Sequence, residues 1–390
     1  MPGTSRRMFL SALAFGASAM SAIRAFAAGN DGHAAGYDVA PSDKFMTLVP
    51  RKSGDAASLD TAPIKATSGG WAREITTRSL PLATGIAGAH LFMNAGGSRE
   101  MHWHNSAEWA YVLGGHAQAT IVDPAGETEV VNFGPGDLWY FPAGHSHAVM
   151  TLGTEPFHAI LTFDDGLYSE NGTFGLSDWM SRLDAKSLER ALGTPSGALS
   201  KIPAGETYIM QGEVVPLDSP QARAEKVLPP ERSHRFPLMQ QKPHASSDGG
   251  ALHIASAREF PMSTTMTAMF LKLKAGALQQ PHWHVNSNEW QYVVKGRNRV
   301  TLFANDKRMA VAELGPGDCA YLPRGCGHSI ENIGNEDSET VGVWDSGTFS
   351  ESTLADWLAK APRHLLANNF GAPEVAVPHF EKRPLIVAAR

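Results

Sequence analysis

Residues 102–108 read HWHNSAE, and residues 282–289 read HWHVNSNE. In each phrase two histidines flank a tryptophan and a glutamate follows. A third histidine comes later, His147 in the first half and His328 in the second. Imidazole nitrogens and a carboxylate oxygen, with no thiolate among them, form a donor set that suits Mn, Fe, Ni or Zn. Alternate residues of a strand share a face, so His102 and His104 point one way and Trp103 the other, as do His282 and His284 against Trp283. Glu108 and Glu289 follow a turn or bulge, which tolerates three residues between His and Glu in one phrase and four in the other. His147 and His328 can return to the same interior on a later strand. Four protein ligands on an octahedral ion leave two neighbouring positions for water, dioxygen or a bidentate ligand. One buried histidine is explained by ordinary hydrogen bonds; an ordered set of four, written twice, points to metal. His145, two residues before His147, is placed to support the ligands from behind, but a surface-turn residue is the simpler reading. The other histidines, His234 among them, stand in no comparable set. Trp103 and Trp283 are suited to relaying charge between metals, but packing as large apolar groups on the opposite face is the simpler reading.

The segments around these ligands repeat in the same order. Gly96, Gly115, Gly136-Asp137, Pro142 and Gly144 of the first half recur as Gly276, Gly296, Gly317-Asp318, Pro323 and Gly325. Between them WAYVL (109–113), AQATIV (117–122), LWYFP (138–142) and FHAILTF (157–163) recur as WQYVV, RVTLF, CAYLP and TVGVW. Short strands at regular spacing, broken by glycine-containing turns, predict an all-β barrel or sandwich in each half. A short helix is expected after each, near 176–183 and 354–361. The chain of 390 residues exceeds what one core usually supports, and its 38 glycines, 25 prolines and 18% charged residues suit a turn-rich β protein. A Pro-rich, charged stretch near 203–245 is expected to join the halves, and residues 28–60 to form an extended arm.

Residues 1–27 predict a twin-arginine export signal. Ser5-Arg6-Arg7-Met8-Phe9-Leu10 precedes a moderately apolar stretch, and Ala25-Phe26-Ala27 fits a cleavage site. Arg24, Ser and Gly interrupt that stretch below what a membrane-spanning helix needs. The mature chain is expected to start near Ala28, in the periplasm or outside the cell, with no membrane attachment. A net charge of −6 and no long basic run exclude a nucleic-acid partner. The two cysteines, Cys319 and Cys326, read as small buried apolar residues rather than a disulfide.

Both halves carry the pair of motifs G-x5-H-x-H-x3/4-E-x6-G and G-x5-P-x-G-x2-H. In this the chain resembles the cupins over residues 60–390, and among them the bicupins of the oxalate decarboxylase family. The resemblance implies two tandem double-stranded β-helix (jelly-roll) barrels with short flanking helices, cupin domain 1 with its linker over 61–235 and cupin domain 2 over 236–390. It implies manganese at two sites per chain, His102, His104, Glu108 and His147 in the first and His282, His284, Glu289 and His328 in the second. It implies oxalate as substrate, formate and carbon dioxide as products, dioxygen that is required but not consumed, and a homotrimer or homohexamer.

A comparison of the halves assigns the chemistry. The connection from Asp164 to Trp179 is three residues longer than that from Asp345 to Trp357. The extra length surrounds Ser169-Glu170-Asn171-Gly172-Thr173, which resembles the family's SENST lid except at Gly172, where lost bulk adds backbone freedom. Glu170 is carried over as the lid acid that protonates carbon after carbon dioxide leaves, with Thr173 positioning the closed lid. Arg99, three residues before His102, is the expected clamp on the free carboxylate of oxalate. The second half has Gln279 there, and Glu351 reads as part of a helix start. Catalysis is therefore expected in domain 1. The alternatives are an oxalate oxidase producing hydrogen peroxide, another cupin chemistry on a larger substrate, and a non-catalytic metal-binding bicupin.

Overall fold

The computed structural model describes residues 38–40, 58–59, 62–304 and 308–389. The export signal and most of the 28–60 arm lie outside the described residues. Among the described residues four antiparallel sheets, two per half, make up the fold, with Asp38–Ala40 joining Arg308–Leu314 in parallel. The first half stacks Arg235–Phe236, Leu138–Phe141, Glu108–Gly114, Phe157–Phe163, Ala87–Met93, Gly70–Ile75 and Ile64–Thr67 in one sheet. Its facing sheet runs Phe174–Gly175, Gly97–Trp103, Ser146–Leu152, His116–Val122 and Thr128–Phe133. The second half repeats the plan, with Leu278–His284 flanked by Gly327–Asn332 and Glu351–Thr353. The expected helices are Leu176–Arg182 and Leu354–Lys360, and each is followed by a second one, Ala185–Leu192 and Arg363–Phe370.

Why does a strand such as EWAYVLG lack polar alternation? Both its faces are covered. Ala110 and Val112 enter the first barrel's core with Ala119, Ile121 and Phe141. Trp109 and Tyr111 enter a second core shared with Phe270, Trp290 and Tyr292 of the other half. Tyr111 stacks on Phe270 at 5.4 Å, and a Cβ at Gly88 would lie 2.2 Å from the Trp290 ring, so the two barrels meet through these sheets. On this strand the charged position is Glu108, at its start. Glu108 has the parity of Ala110, which turns its carboxylate into the barrel.

The stretch near 203–245 is more than a connector. Ile209–Gln211 adds a strand beside Gly97–Arg99, and Arg235–Phe236 adds one beside Leu138 and Trp139. Ile386–Val387 does the same beside Leu278 and Gln279 in the second half.

Candidate functional site

The ligand strand Gly97–Trp103 cannot place Arg99 by simple alternation, because a residue three before His102 belongs on the outer face with Trp103. The pairing solves this. His147 stands opposite His102 and Val149 opposite Arg99, so two steps on one strand match three on the other. The extra residue bulges, and Arg99 and His102 both turn inward. The same slip, between Gln279 and His282, brings Gln279 inward.

His102, His104, Glu108 and His147 are buried and their donor atoms converge within 4.8 Å of one another. Their ring tautomers are set from behind. The Nδ1 atoms lie 2.7 Å from the Glu100 carbonyl (His102), 2.7 Å from the Ser106 carbonyl (His104) and 3.0 Å from the His145 carbonyl (His147). Each Nδ1–H donates to its carbonyl, so each Nε2 lone pair faces the centre. Trp139 Nε1 donates to Glu108 Oε1 at 2.8 Å, which leaves Oε2 facing His104 at 2.9 Å and His147 at 3.5 Å. Burial alone would raise the Glu108 pKa, but the neighbouring His104 and His147 imidazoles outweigh it and hold it far below the usual carboxylate range. Burial, with Arg99 and the two neighbouring imidazoles, depresses His102. An ionised carboxylate among neutral imidazoles is a cation site, and the buried His147 Nε2, without a hydrogen-bond partner, fits a metal bond. Trp139→Phe keeps the ring and removes the donor. It is expected to weaken metal binding at this centre about 10- to 100-fold, as read by metal retained during dialysis against a chelator.

The second cluster, His282, His284, Glu289 and His328, is equally buried and convergent. Here Trp344 Nε1 and Gln291 Nε2 hold the Glu289 carboxylate, and the Nε2 atoms of His284 and His328 lack hydrogen-bond partners. The two imidazoles beside the carboxylate outweigh burial and keep Glu289 well below its ordinary range.

Glu170 and Arg99 meet beside the first cluster only. Arg99 is 4% and Glu170 7% exposed, and Arg99 Nη2 donates to Glu170 Oε2 at 3.4 Å. The Arg99 guanidinium is fixed by the Tyr208 carbonyl at 3.2 Å and lies 4.3 Å from the centre of the Tyr208 ring. Burial pushes the Glu170 carboxyl up, Arg99 pulls it down and Glu108 adds repulsion; the net shift is upward. Tyr168 donates to Glu170 Oε1 at 3.4 Å and meets Thr173 Oγ1 at 3.1 Å, so Thr173 reaches the acid through Tyr168. The lid is held shut from below. Ser169 Oγ and the Glu170 backbone N–H donate to Glu74 at 2.8 and 2.7 Å, and Lys65 Nζ donates to the Glu170 carbonyl at 3.0 Å.

Two sequence readings change. His145 is half-buried rather than a free surface-turn residue, and its Nδ1 lies 3.2 Å from His234 Nε2. His234 in turn is buried with its Nδ1 2.7 Å from Glu129 Oε2, an arrangement no local motif announces. Glu351 lies against the second cluster, 3.9 Å from His282 Nε2, with its carboxyl pushed up to about 7 by burial and Glu289, against His328. The helix start is made by Thr353, whose side chain caps the Asp356 N–H. Trp103 packs outward on Phe174 and Trp179, and Trp283 on Trp357, as the simpler reading expects. Cys319 is buried in the core shared by the two barrels and Cys326 is half-buried.

Two jelly-roll barrels, each enclosing three imidazoles and a carboxylate, define a bicupin with two candidate metal centres. The cupin family pattern matches residues 57–196 and 236–376. The oxalate decarboxylase OxdC of Bacillus subtilis (strain 168) is 34% identical over 325 residues, 82% of this chain and 83% of that protein. A probable oxalate decarboxylase of Arthroderma benhamiae is 28% identical over 317 residues, 80% of this chain and 78% of that one. Among solved structures, a single-site variant of the Bacillus subtilis OxdC superposes with a TM-score of 0.80 at 31% identity, covering 86% of this chain and 88% of that one. Another structure of the same enzyme, from work on its Mn(II) centres, gives a TM-score of 0.77 at 32% identity over 86% and 88% of the two chains. The chain belongs to the oxalate decarboxylase family of bicupins.

Proposed function

We propose that this chain converts oxalate to formate and carbon dioxide at its first centre. The observation that carries this reading is the buried Arg99–Glu170 pair beside the first cluster, which has no counterpart among the described residues of the second half. Manganese, the metal of the solved relative, suits the thiolate-free donor set and is proposed for both centres. With dioxygen that is regained, the ion held by His102, His104, Glu108 and His147 would supply the reversible one-electron withdrawal that weakens the carbon–carbon bond.

The remaining work falls to side chains. Oxalate presents a carboxylate to Arg99 and takes the place that Glu170 holds in the closed lid. Once Arg99 is engaged by substrate, its pull on Glu170 weakens and the carboxyl holds its proton more firmly. Carbon dioxide leaves as the carbon–carbon bond breaks, and the Glu170 proton forms the carbon–hydrogen bond of formate. One proton enters with each oxalate dianion, so charge and atoms balance. Tyr168 and Thr173 aim the carboxyl, and the lid excludes water from the fragment.

The decisive assay is product analysis on manganese-loaded protein supplied with oxalate. Formate equal to the oxalate consumed is expected; hydrogen peroxide without formate would make the chain an oxidase. The Glu74 latch gives a finer test. Glu74→Gln keeps the shape but loses a charge-assisted acceptor, a loss of about 1.5–3 kcal/mol per bond at most. The expected outcome is a fall of roughly 10-fold in the ratio of formate to peroxide, read by measuring both products.

A homotrimer or homohexamer is the proposed assembly, on the family resemblance. Export to the periplasm or beyond rests on the Ser5–Leu10 and Ala25–Ala27 signals. The twin-arginine route carries folded protein, which suits a histidine-rich centre that must take manganese before it meets copper or zinc.

A further inference from the structure

The second cluster faces a carboxyl that has no equivalent in the first. Strand Glu351–Thr353 pairs with Leu278–His284 so that Thr353 stands opposite His282 and Glu351 opposite His284. In the first half Gly175 stands opposite His102 and Phe174 opposite Trp103. Continuing that register sets Thr173 opposite His104. Glu351 therefore takes the place of Thr173 and not that of the lid residue Glu170.

Its surroundings are those of a ligand short of a cation. Glu351 Oε2 is buried, has no hydrogen-bond partner and lies 3.9 Å from His282 Nε2. The arginine that engages Glu170 in the first half is replaced by Gln279, whose Nε2 lies 3.3 Å from the same His282 nitrogen and whose Oε1 also lacks a partner. A buried carboxylate oxygen without donor or counter-charge is costly unless a cation takes it up. Two ligand atoms bound to one octahedral ion at about 2.1 Å stand about 3.0 Å apart when adjacent and about 4.2 Å apart when opposite. The 3.9 Å separation from His282 lies within that span, and Glu351, which stands outside the group of donor atoms lying within 4.8 Å of one another, closes on the centre when the ion binds.

We propose that Glu351 is a fifth protein ligand of the second centre. The centre then takes an octahedral, oxygen-preferring divalent cation of the manganese class and keeps at most one open position. Oxalate, which chelates through two oxygens, finds neither the two adjacent sites nor the guanidinium it meets in the first half. This rests on the reading of the second cluster as a metal centre.

The test is Mn(II) titration of the full-length protein, followed by the EPR signal of free and bound ion, for wild type and Glu351→Gln. Two ions per chain are expected in the wild type. In the variant one class of site weakens at least 10-fold and its bound-Mn(II) fine structure changes, while the other class is retained. Two ions bound with wild-type affinity and an unchanged spectrum in Glu351→Gln would overturn the proposal. If the wild type takes up no second ion, the metal-centre reading itself falls, an outcome distinct from a second ion bound without Glu351. A crystal structure of manganese-loaded wild type needs no variant to fold. A Glu351 oxygen about 2.2 Å from the ion supports the proposal, and one beyond about 3.5 Å overturns it.

Discussion

Arg99→Lys should cut kcat/KM for oxalate by roughly 10²- to 10³-fold, and Arg99→Ala by more. The expectation follows from how the guanidinium is held. It is nearly inaccessible, fixed by the Tyr208 carbonyl and ring, and paired with Glu170. Burial alone would ease loss of its proton, but Glu170 and the surrounding acidic groups outweigh this and hold it charged. Breaking a buried charge pair by removing one partner costs about 3–5 kcal/mol, which sets the scale of the effect. Lysine keeps the charge but cannot present two parallel donors to a carboxylate, and its ammonium lacks the flat face that stacks on Tyr208. Steady-state formate production at several oxalate concentrations separates the cases. A rate within 10-fold of wild type in Arg99→Lys would show that a point charge is enough and that the fork is idle. The converse substitution at the second half's equivalent, Gln279→Arg, would bring a cation to the cluster beside Glu351.

The two candidate metal clusters were legible because their chemistry is local. Two histidines one residue apart on a strand must share a face, and the later histidine follows a glycine- and proline-marked turn that returns the chain to the same barrel. The fold was legible for the same reason: each strand lies between turn residues, and the duplication states the plan twice. Arg99 was found by its position in the motif, although strict alternation would have sent it outward; only the bulge opposite His147 and Val149 explains its direction. Residues that support the site from distant segments left no local signal. Glu74 lies nearly a hundred positions from the lid it latches, and Tyr208 belongs to a stretch whose composition reads as linker. Tyr208 also takes a positive φ of 58°, a conformation that side-chain-bearing residues rarely adopt and that sequence does not reveal. Glu129 and His234 meet across 105 positions for the same reason. Glu351 was misread as part of a helix start because Ser350-Glu351-Ser352-Thr353 resembles a capping sequence, whereas strand register sets Glu351 opposite His284, in the place of Thr173, and leaves the cap to Thr353. Gly172 was legible as a departure from the lid pattern. In the structure a Cβ there meets nothing within 4 Å, so a serine would fit without displacing a neighbour.

Glu170→Gln is expected to lower formate formation by about 10²- to 10⁴-fold, the range a positioned general acid supplies. Glutamine matches the shape of the carboxyl and can still accept from Arg99 and Tyr168, so the lid can close over substrate. What it lacks is a proton it can release to carbon. If carbon–carbon cleavage does not depend on Glu170, the variant still consumes oxalate and the unprotonated fragment gives up its electron to dioxygen. The fragment leaves as a second carbon dioxide, its electron and the one withdrawn earlier reduce dioxygen with two protons to hydrogen peroxide in place of formate, and the product ratio distinguishes loss of the acid from loss of binding. The sign of the pH dependence follows from the direction of the shift. The Glu170 carboxyl is raised, first by burial and then by Glu108, against the pull of Arg99. Its acid form therefore persists above the ordinary carboxylate range and is lost as pH rises through the folded value. Formate formation in the wild type should decline tenfold per pH unit above that point, and the residual rate of Glu170→Gln should lack that limb. Undiminished formate in the variant, or an unchanged alkaline limb, would mean that the proton reaches carbon from another group. Tyr168, buried and 3.4 Å from Glu170 with its own pKa raised well above the usual phenol value by burial and by Glu170, is too weak an acid to take that role. The lid carboxyl is the group whose burial, partner and position all favour giving up one proton at the moment carbon dioxide leaves.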